Sequence, residues 1–191
     1  MTRVYFVRHA QSDWRSGSDR ERGLTAEALE DRRVVLDFLR DKQVDVFYCS
    51  PYRRSLDTIR EAAEFYGMSI QTDERLRERE AAPDGNNREL FRRRWADFDW
   101  YELGGESLRS VQERNIAALM EILEQNRDKT IVIGTHGTAL STILNYYDPS
   151  YNCDSFLRII DWMPYVVELD FDGTRFLSKT EHVHVEKIFK Q

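Results

Sequence analysis

Residues 4–7, 44–49 and 130–134 are short, mainly apolar runs rich in Val, Ile and aromatics, each closed off by polar residues. At four to six residues they are too short for amphipathic helices. They fit central strands of a parallel sheet, buried on both faces. A further, weaker strand, third in chain order, is expected over 68–72. Between these runs the apolar spacing is helical. Thr25 can cap a helix over about 26–42, whose stripe is Val34, Val35, Phe38 and Leu39. Ser50-Pro51 ends one strand and opens a helix over about 52–66. Ser107 can cap a helix to about 126, and another is expected over 138–146. The tail, 156–185, alternates like antiparallel strands, with Asp172-Gly173 as the hairpin turn. Strands alternating with helices predict an α/β fold, a three-layer αβα sandwich on a mostly parallel central sheet.

At 191 residues the chain suits a single domain, 1–191, with a cap-like insertion at about 81–105. There a turn signal over 83–87 precedes an Arg- and aromatic-rich helix near 88–100. Lys and Arg number 28 against 34 Asp and Glu, a net charge of −6, which argues against nucleic acid as the partner. No run of about 18 apolar residues and no charged leader occur, so neither a membrane span nor a signal peptide is expected. The expected compartment is the cytoplasm, with Cys49 and Cys153 reduced. Oligomeric state leaves no mark in the sequence.

In a doubly wound sheet ligands sit beyond the carboxyl ends of the strands. Arg8-His9 follows the first strand, Arg53-Arg54 the second, Glu78 and Glu80 the third, and His136 the fourth. Two histidines, arginines and a carboxylate, without a cysteine cluster or a P-loop, suit phosphoryl transfer through a histidine nucleophile. A neutral imidazole can attack phosphorus if its other nitrogen is tied to a backbone carbonyl. Arginines hold the phosphoryl oxygens, and a second histidine adds positive charge beside them. A carboxylic acid protonates the leaving alkoxide, and burial or a like-charged neighbour would keep it protonated.

These residues sit in six ordered pieces: Arg8-His9-Ala10, Gly23-Leu24-Thr25, Ser50 to Arg54, Leu76-Arg77-Glu78, Gly105-Glu106-Ser107 and Gly134 to Gly137. In that order and over residues 4 to about 140, the chain resembles the histidine phosphatase superfamily, the phosphoglycerate mutase-like fold with its Arg-His-Gly signature. The resemblance implies phosphorylation of His9, a phosphate pocket of Arg8, Arg54 and His136, and Glu78 as proton donor. Ser12, Arg15 and Gly137 are expected to join in binding the substrate phosphate. The family's arginine falls four residues after the serine, which selects Arg54 and leaves Arg53 at the surface. Ala10 stands where glycine is usual, Gln11 where glutamate is common, and Arg15 where many mutases carry asparagine. The changes at 11 and 15 bear on substrate choice, and the short chain favours a phosphatase over a mutase.

The expected function is therefore hydrolysis of a small phosphorylated metabolite through a phosphohistidine, without metal or other cofactor. Two alternatives stand beside it, phosphoglycerate mutase-type transfer and a silent module that only binds a phosphorylated ligand or partner. His182 and His184, on one face of a strand, could join a metal site in principle, but no carboxylates accompany them. Gly104 to Ser107 reads equally as a helix start or as a backbone contact near phosphate. Arg88, Arg92, Arg93 and Arg94 read as a solvated helix face or as a cap selecting an anionic substrate.

Overall fold

The computed structural model describes residues 1–83 and 85–187. Asp84, within the turn predicted over 83–87, and residues 188–191 lie outside them. Strand β1 (Thr2–Arg8) occupies the middle of a six-stranded sheet. It pairs in parallel with β4 (Thr130–Thr135), which pairs in parallel with β2 (Val46–Cys49), and β2 with β3 (Ile70–Thr72). On the other side β1 runs antiparallel to β5 (Trp162–Asp172), and β5 to the edge strand β6 (Arg175–Glu186). The spatial order is β3-β2-β4-β1-β5-β6.

Successive side chains of a strand point to opposite faces, so β1 feeds two cores. Val4 and Phe6 pack with Leu119 and Ile122 of α5 (Leu108–Gln125) and with Leu140 and Ile143 of α6 (Gly137–Tyr147). Tyr5 and Val7 pack with Val35 and Leu39 of α2 (Arg33–Leu39) and with Ile59 and Ala62 of α3 (Arg53–Phe65). All four β1 side chains are essentially inaccessible to water. Burying each contributes roughly 1.5–3 kcal/mol relative to exposure, which sets β1 in the centre. Helices on both faces of a mostly parallel sheet match the layered α/β fold expected from the pattern.

Two predicted elements differ. The helix expected over 26–42 is interrupted at Arg32, between α1 (Ala26–Asp31), capped by Thr25, and α2. The guanidinium of Arg32 bonds the Asp57 carbonyl at 2.8 Å and Glu61 at 3.0 Å, anchoring the joint to α3. Only Ala28 of α1 is buried, so the apolar stripe belongs to α2. The tail also begins with a helix, α7 (Cys153–Ile159), before β5. Asn152 and Ser155 form a reciprocal capping box there, and Phe156 and Ile159 are buried at helical spacing, which outweighs the strand-like alternation. The hairpin falls where predicted, with Gly173 at φ +60°.

Segment 81–105 carries α4 (Arg88–Ala96), capped by Asn87. Phe91 and Trp95 bring it onto α7, with ring centroids 5.2 and 5.9 Å from Phe156. Among the described residues, no helix is long and apolar enough to cross a membrane.

The β2–β4 contact tolerates no side chain at Gly134. A Cβ there would run into Sγ of Cys49 and lie 3.0 Å from Oγ of Ser55. Gly134→Ala should lower stability by about 2 kcal/mol, read as a drop in the urea midpoint at unchanged slope. Combined with Cys49→Ala it should cost less than the sum of the two single changes.

Candidate active site

Because β1, β4 and β2 are parallel and in register, with Arg8 opposite Thr135 and Cys49 opposite Gly134, their carboxyl ends meet at one sheet edge. The next residues, His9, His136 and Ser50, therefore become neighbours. His9 is drawn to the strand by its N–H, which donates to the Thr135 carbonyl at 3.1 Å. Ala10 N–H donates to Thr58 Oγ1 at 2.9 Å, pinning the turn that follows. Ala10 lies outside the positive-φ residues, so its methyl group brings no backbone strain where the family usually has glycine.

His9 Nδ1 lies 2.6 Å from the Ala10 carbonyl oxygen. A carbonyl only accepts, so Nδ1 carries the hydrogen and Nε2 keeps its lone pair. Nε2 faces Arg54, whose Nε is 3.3 Å away. Arg54 stands in the first turn of α3 and is 1% exposed, whereas Arg53 points outward to Asp57. Arg8 is also buried, and its Nη1 donates to the Ile159 carbonyl at 2.6 Å while Nε has no protein partner. Burial pushes the Arg8 guanidinium down to about 10, still charged at neutral pH. Gly137 makes room for it: a Cβ there would lie 3.0 Å from Cζ and Nη2 of Arg8.

His136, at the N-cap of α6, has its ring centroid 5.2 Å from that of His9. Its Nε2 is 2.7 Å from Ser50 Oγ, and its Nδ1 is buried without a partner. Burial first, then the nearby Arg54, holds both histidines well below the ordinary imidazole range. His9 is thereby kept neutral. His136 is neutral too, which corrects the expectation that it adds a positive charge: desolvation beside buried arginines disfavours the imidazolium.

Glu78 follows the 3₁₀ turn Glu74–Leu76 beyond β3 and reaches the N-terminus of α6. Its Oε1 accepts from Arg79 N–H at 2.8 Å and Ala139 N–H at 2.9 Å, and its Oε2 accepts from Thr138 N–H at 3.0 Å. Three main-chain N–H groups thus fix the Glu78 carboxyl in place.

Arg8, His9, Arg54, Glu78, Gly137 and Ser12 all line one cavity of about 420 Å³. Arg15 does not; it lines a wider neighbouring cleft with Trp14, its guanidinium 5.2 Å from the Trp14 ring. His136 stands behind the cavity wall, fully buried. Several lining residues went unnoticed in the sequence, namely Arg22, Asp19 and Arg79. Arg79 had a signal, as the neighbour of Glu78; Arg22 and Asp19 lie in a polar loop without periodicity. From α4, Phe91 and Arg94 join them, Arg94 3% exposed, whereas Arg92 pairs with Asp154 and Arg93 covers Trp100. Glu102 takes both buried arginines, with Arg79 Nη2 at 2.7 Å and Arg94 on its two oxygens. Burial alone would raise the Glu102 carboxyl, but the bonds from Arg94 and Arg79 hold it down at about 2. Gly105 accommodates Arg79, since a Cβ there would lie 2.7 Å from Nη2.

His182 and His184 go to different partners. His182 bonds Glu168 at 2.7 Å and His184 stacks on Trp162 at 3.7 Å, because the β5–β6 ladder shifts register between them. Among the described residues, no three His, Cys, Asp or Glu side chains are grouped to hold a metal ion.

The buried neutral histidines tie stability to pH. Below pH ~6.5 the unfolded chain binds protons at His9 and His136 that the native chain does not, so stability falls as pH falls. The loss should approach about 1.4 kcal/mol per pH unit for each histidine. Urea midpoints at pH 7.5 and 5.5 check this, and the double variant His9→Gln/His136→Gln should flatten the difference.

Among curated relatives, phosphoserine phosphatase 1 of Hydrogenobacter thermophilus is 28% identical over 151 residues, 71% of each chain. A probable phosphoglycerate mutase of Salmonella paratyphi A is 28% identical over 159 residues, 76% of this chain and 74% of its own. Another Hydrogenobacter thermophilus relative matches more strongly, at 35%, but over only 83 residues, 41% of this chain and 40% of its own length. A solved phosphoserine phosphatase mutant from Entamoeba histolytica, in complex with phosphoserine, superposes with a TM-score of 0.74 at 18% identity, over 96% of both chains. That likeness is one of fold. The model of the histidine phosphatase superfamily (branch 1) matches residues 4–178, from the first residues of β1 into β6, and the chain belongs to that superfamily.

Proposed function

We propose that the chain hydrolyses a small phosphomonoester through a phosphohistidine at His9. The observation that carries this is the His9 ring itself. Nδ1 is tied to the Ala10 carbonyl, so the lone pair is on Nε2, where it accepts from Arg54 Nε–H at 3.3 Å until phosphorus takes its place. In the first step Nε2 attacks phosphorus, and the bond to the leaving oxygen breaks as the N–P bond forms. Arg8 and Arg54 hold the phosphoryl oxygens as the charge moves outward. Glu78, lining the same cavity, is the group that gives a proton to the leaving oxygen. In the second step, as a carboxylate, it takes a proton from the water that attacks phosphohistidine.

The substrate class follows from the cavity's charge. Arg79 and Arg94 share one carboxylate, Glu102, so this wall keeps one positive charge in excess. A substrate with a second anionic group, such as a carboxylate near its phosphate, would satisfy it. Phosphoserine, bound in the Entamoeba histolytica structure, has that composition. The mutase reading is kept open by the Salmonella relative; it requires the phosphoryl group to pass to a second hydroxyl in place of water.

Labelled phosphomonoester quenched in alkali should leave acid-labile label on the wild type and none on His9→Ala, with turnover lost by at least about 10³-fold. Wild-type turnover in His9→Ala would refute the mechanism. Chelators should not change the rate. Arg94→Met should raise KM for phosphoserine by about tenfold, and by clearly less for 4-nitrophenyl phosphate, which carries no carboxylate. Equal losses on both would remove the second-anion assignment.

A further inference from the structure

The chemistry proposed above leaves Asp19 without a role, although its position is closely determined. Residues 16–22 form a polar loop whose turn is closed by Glu21 and Arg22 N–H groups donating to the Ser18 carbonyl. The loop is docked by Arg20. Its carbonyl accepts from Arg53 N–H at 3.0 Å, and its guanidinium bonds both oxygens of Glu74 at 2.8 Å and covers the Tyr52 ring at 5.2 Å. Asp19 is thereby set into the wall of the His9 cavity.

There its main-chain carbonyl accepts from Arg54 Nη1. Its carboxylate reaches two cavity arginines, with Oδ1 2.8 Å from Arg22 Nη2 and 3.3 Å from Arg54 Nη1. The other carboxylate lining the cavity, Glu78, spends its oxygens on main-chain amides. Asp19 is thus an anion resting on the guanidinium that faces the reacting nitrogen of His9. A phosphoryl group at that nitrogen would use the same N–H donors and lie beside a like charge. The Asp19 side chain is about half exposed, at 46%, so its carboxylate can swing towards water while its carbonyl keeps hold of Arg54.

We propose that Asp19 is a built-in counter-anion that competes with phosphate for Arg54 and Arg22. It keeps the two guanidiniums paired between turnovers and weakens the hold on the dianionic product, so that inorganic phosphate leaves. The inference rests on the reading of this cavity as the phosphate site.

Inorganic phosphate as competitive inhibitor, with 4-nitrophenyl phosphate as substrate, tests it. In Asp19→Asn, which keeps the carbonyl contact and removes the charge, the phosphate inhibition constant should fall about fivefold and KM should fall with it. Asp19→Ser should act in the same direction. Ser18→Ala, on the same turn with its hydroxyl on Glu21, should leave both constants unchanged. A merely structural Asp19 would loosen Arg54 when replaced, raising KM and the inhibition constant together. No change or a rise in either Asp19 variant overturns the proposal while the cavity assignment stands. A wild-type enzyme that inorganic phosphate does not inhibit overturns both.

Discussion

The parallel pairing of β1 with β4 is the constraint on which the site depends. Parallel strands in register end at the same sheet edge, so residues 127 positions apart in sequence, His9 and His136, come within one ring contact. Addition of β2 on the far side of β4 brings Ser50 to His136 and the first turn of α3, with Arg54, to His9. None of these contacts needs a long or flexible loop. Each histidine and arginine is the first or second residue past a buried strand or at the start of a helix. The apolar packing that locates β1 therefore also locates His9.

The second feature is how positive charge is kept in a buried place. Arg8, Arg22, Arg54, Arg79 and Arg94 all reach the cavity, and their partners are of more than one kind. Arg8 has a main-chain carbonyl, Arg54 the carbonyl and carboxylate of Asp19, and Arg79 and Arg94 share Glu102. A buried charge without partners would cost several kcal/mol, and full ion pairing would cancel the attraction for a substrate. Carbonyl partners and shared carboxylates lie between these limits. Burial first, and then the same surplus of positive charge from Arg54 and Arg8, lowers the basicity of His9.

Glycine positions show the tolerance of this arrangement. Gly137 and Gly105 do not serve turns with unusual φ; they leave the volume that Arg8 and Arg79 occupy. Ala10, by contrast, sits where the related pattern has glycine and costs nothing, since its backbone is ordinary. The difference is local space and not motif membership.

Much of this was legible in residue order. Short apolar runs identified the parallel strands, polar residues at their ends identified Arg8, His9, Arg53-Arg54 and His136, and only the resemblance to the family separated Arg54 from Arg53. Those signals are local: strand burial has a period, and a strand end is a fixed offset from it. Where local signals conflicted, as over 26–42 and 153–161, a side-chain anchor at Arg32 and the capping box at Asn152 decided. Tertiary structure alone determined the rest. The His9 tautomer depends on where the Ala10 carbonyl turns, and the neutrality of His136 on its complete burial. Glu78 is bound to the amides of a helix about sixty residues away, and Asp19, Arg79 and Arg94 are gathered from separate loops and helices. Such contacts arise from packing between distant segments, which no periodicity records. The sequence by itself thus determined the strands and the residues at their tips. How those residues are charged, and which others surround the substrate, was decided only by the folded environment, because burial and long-range neighbours set protonation and placement.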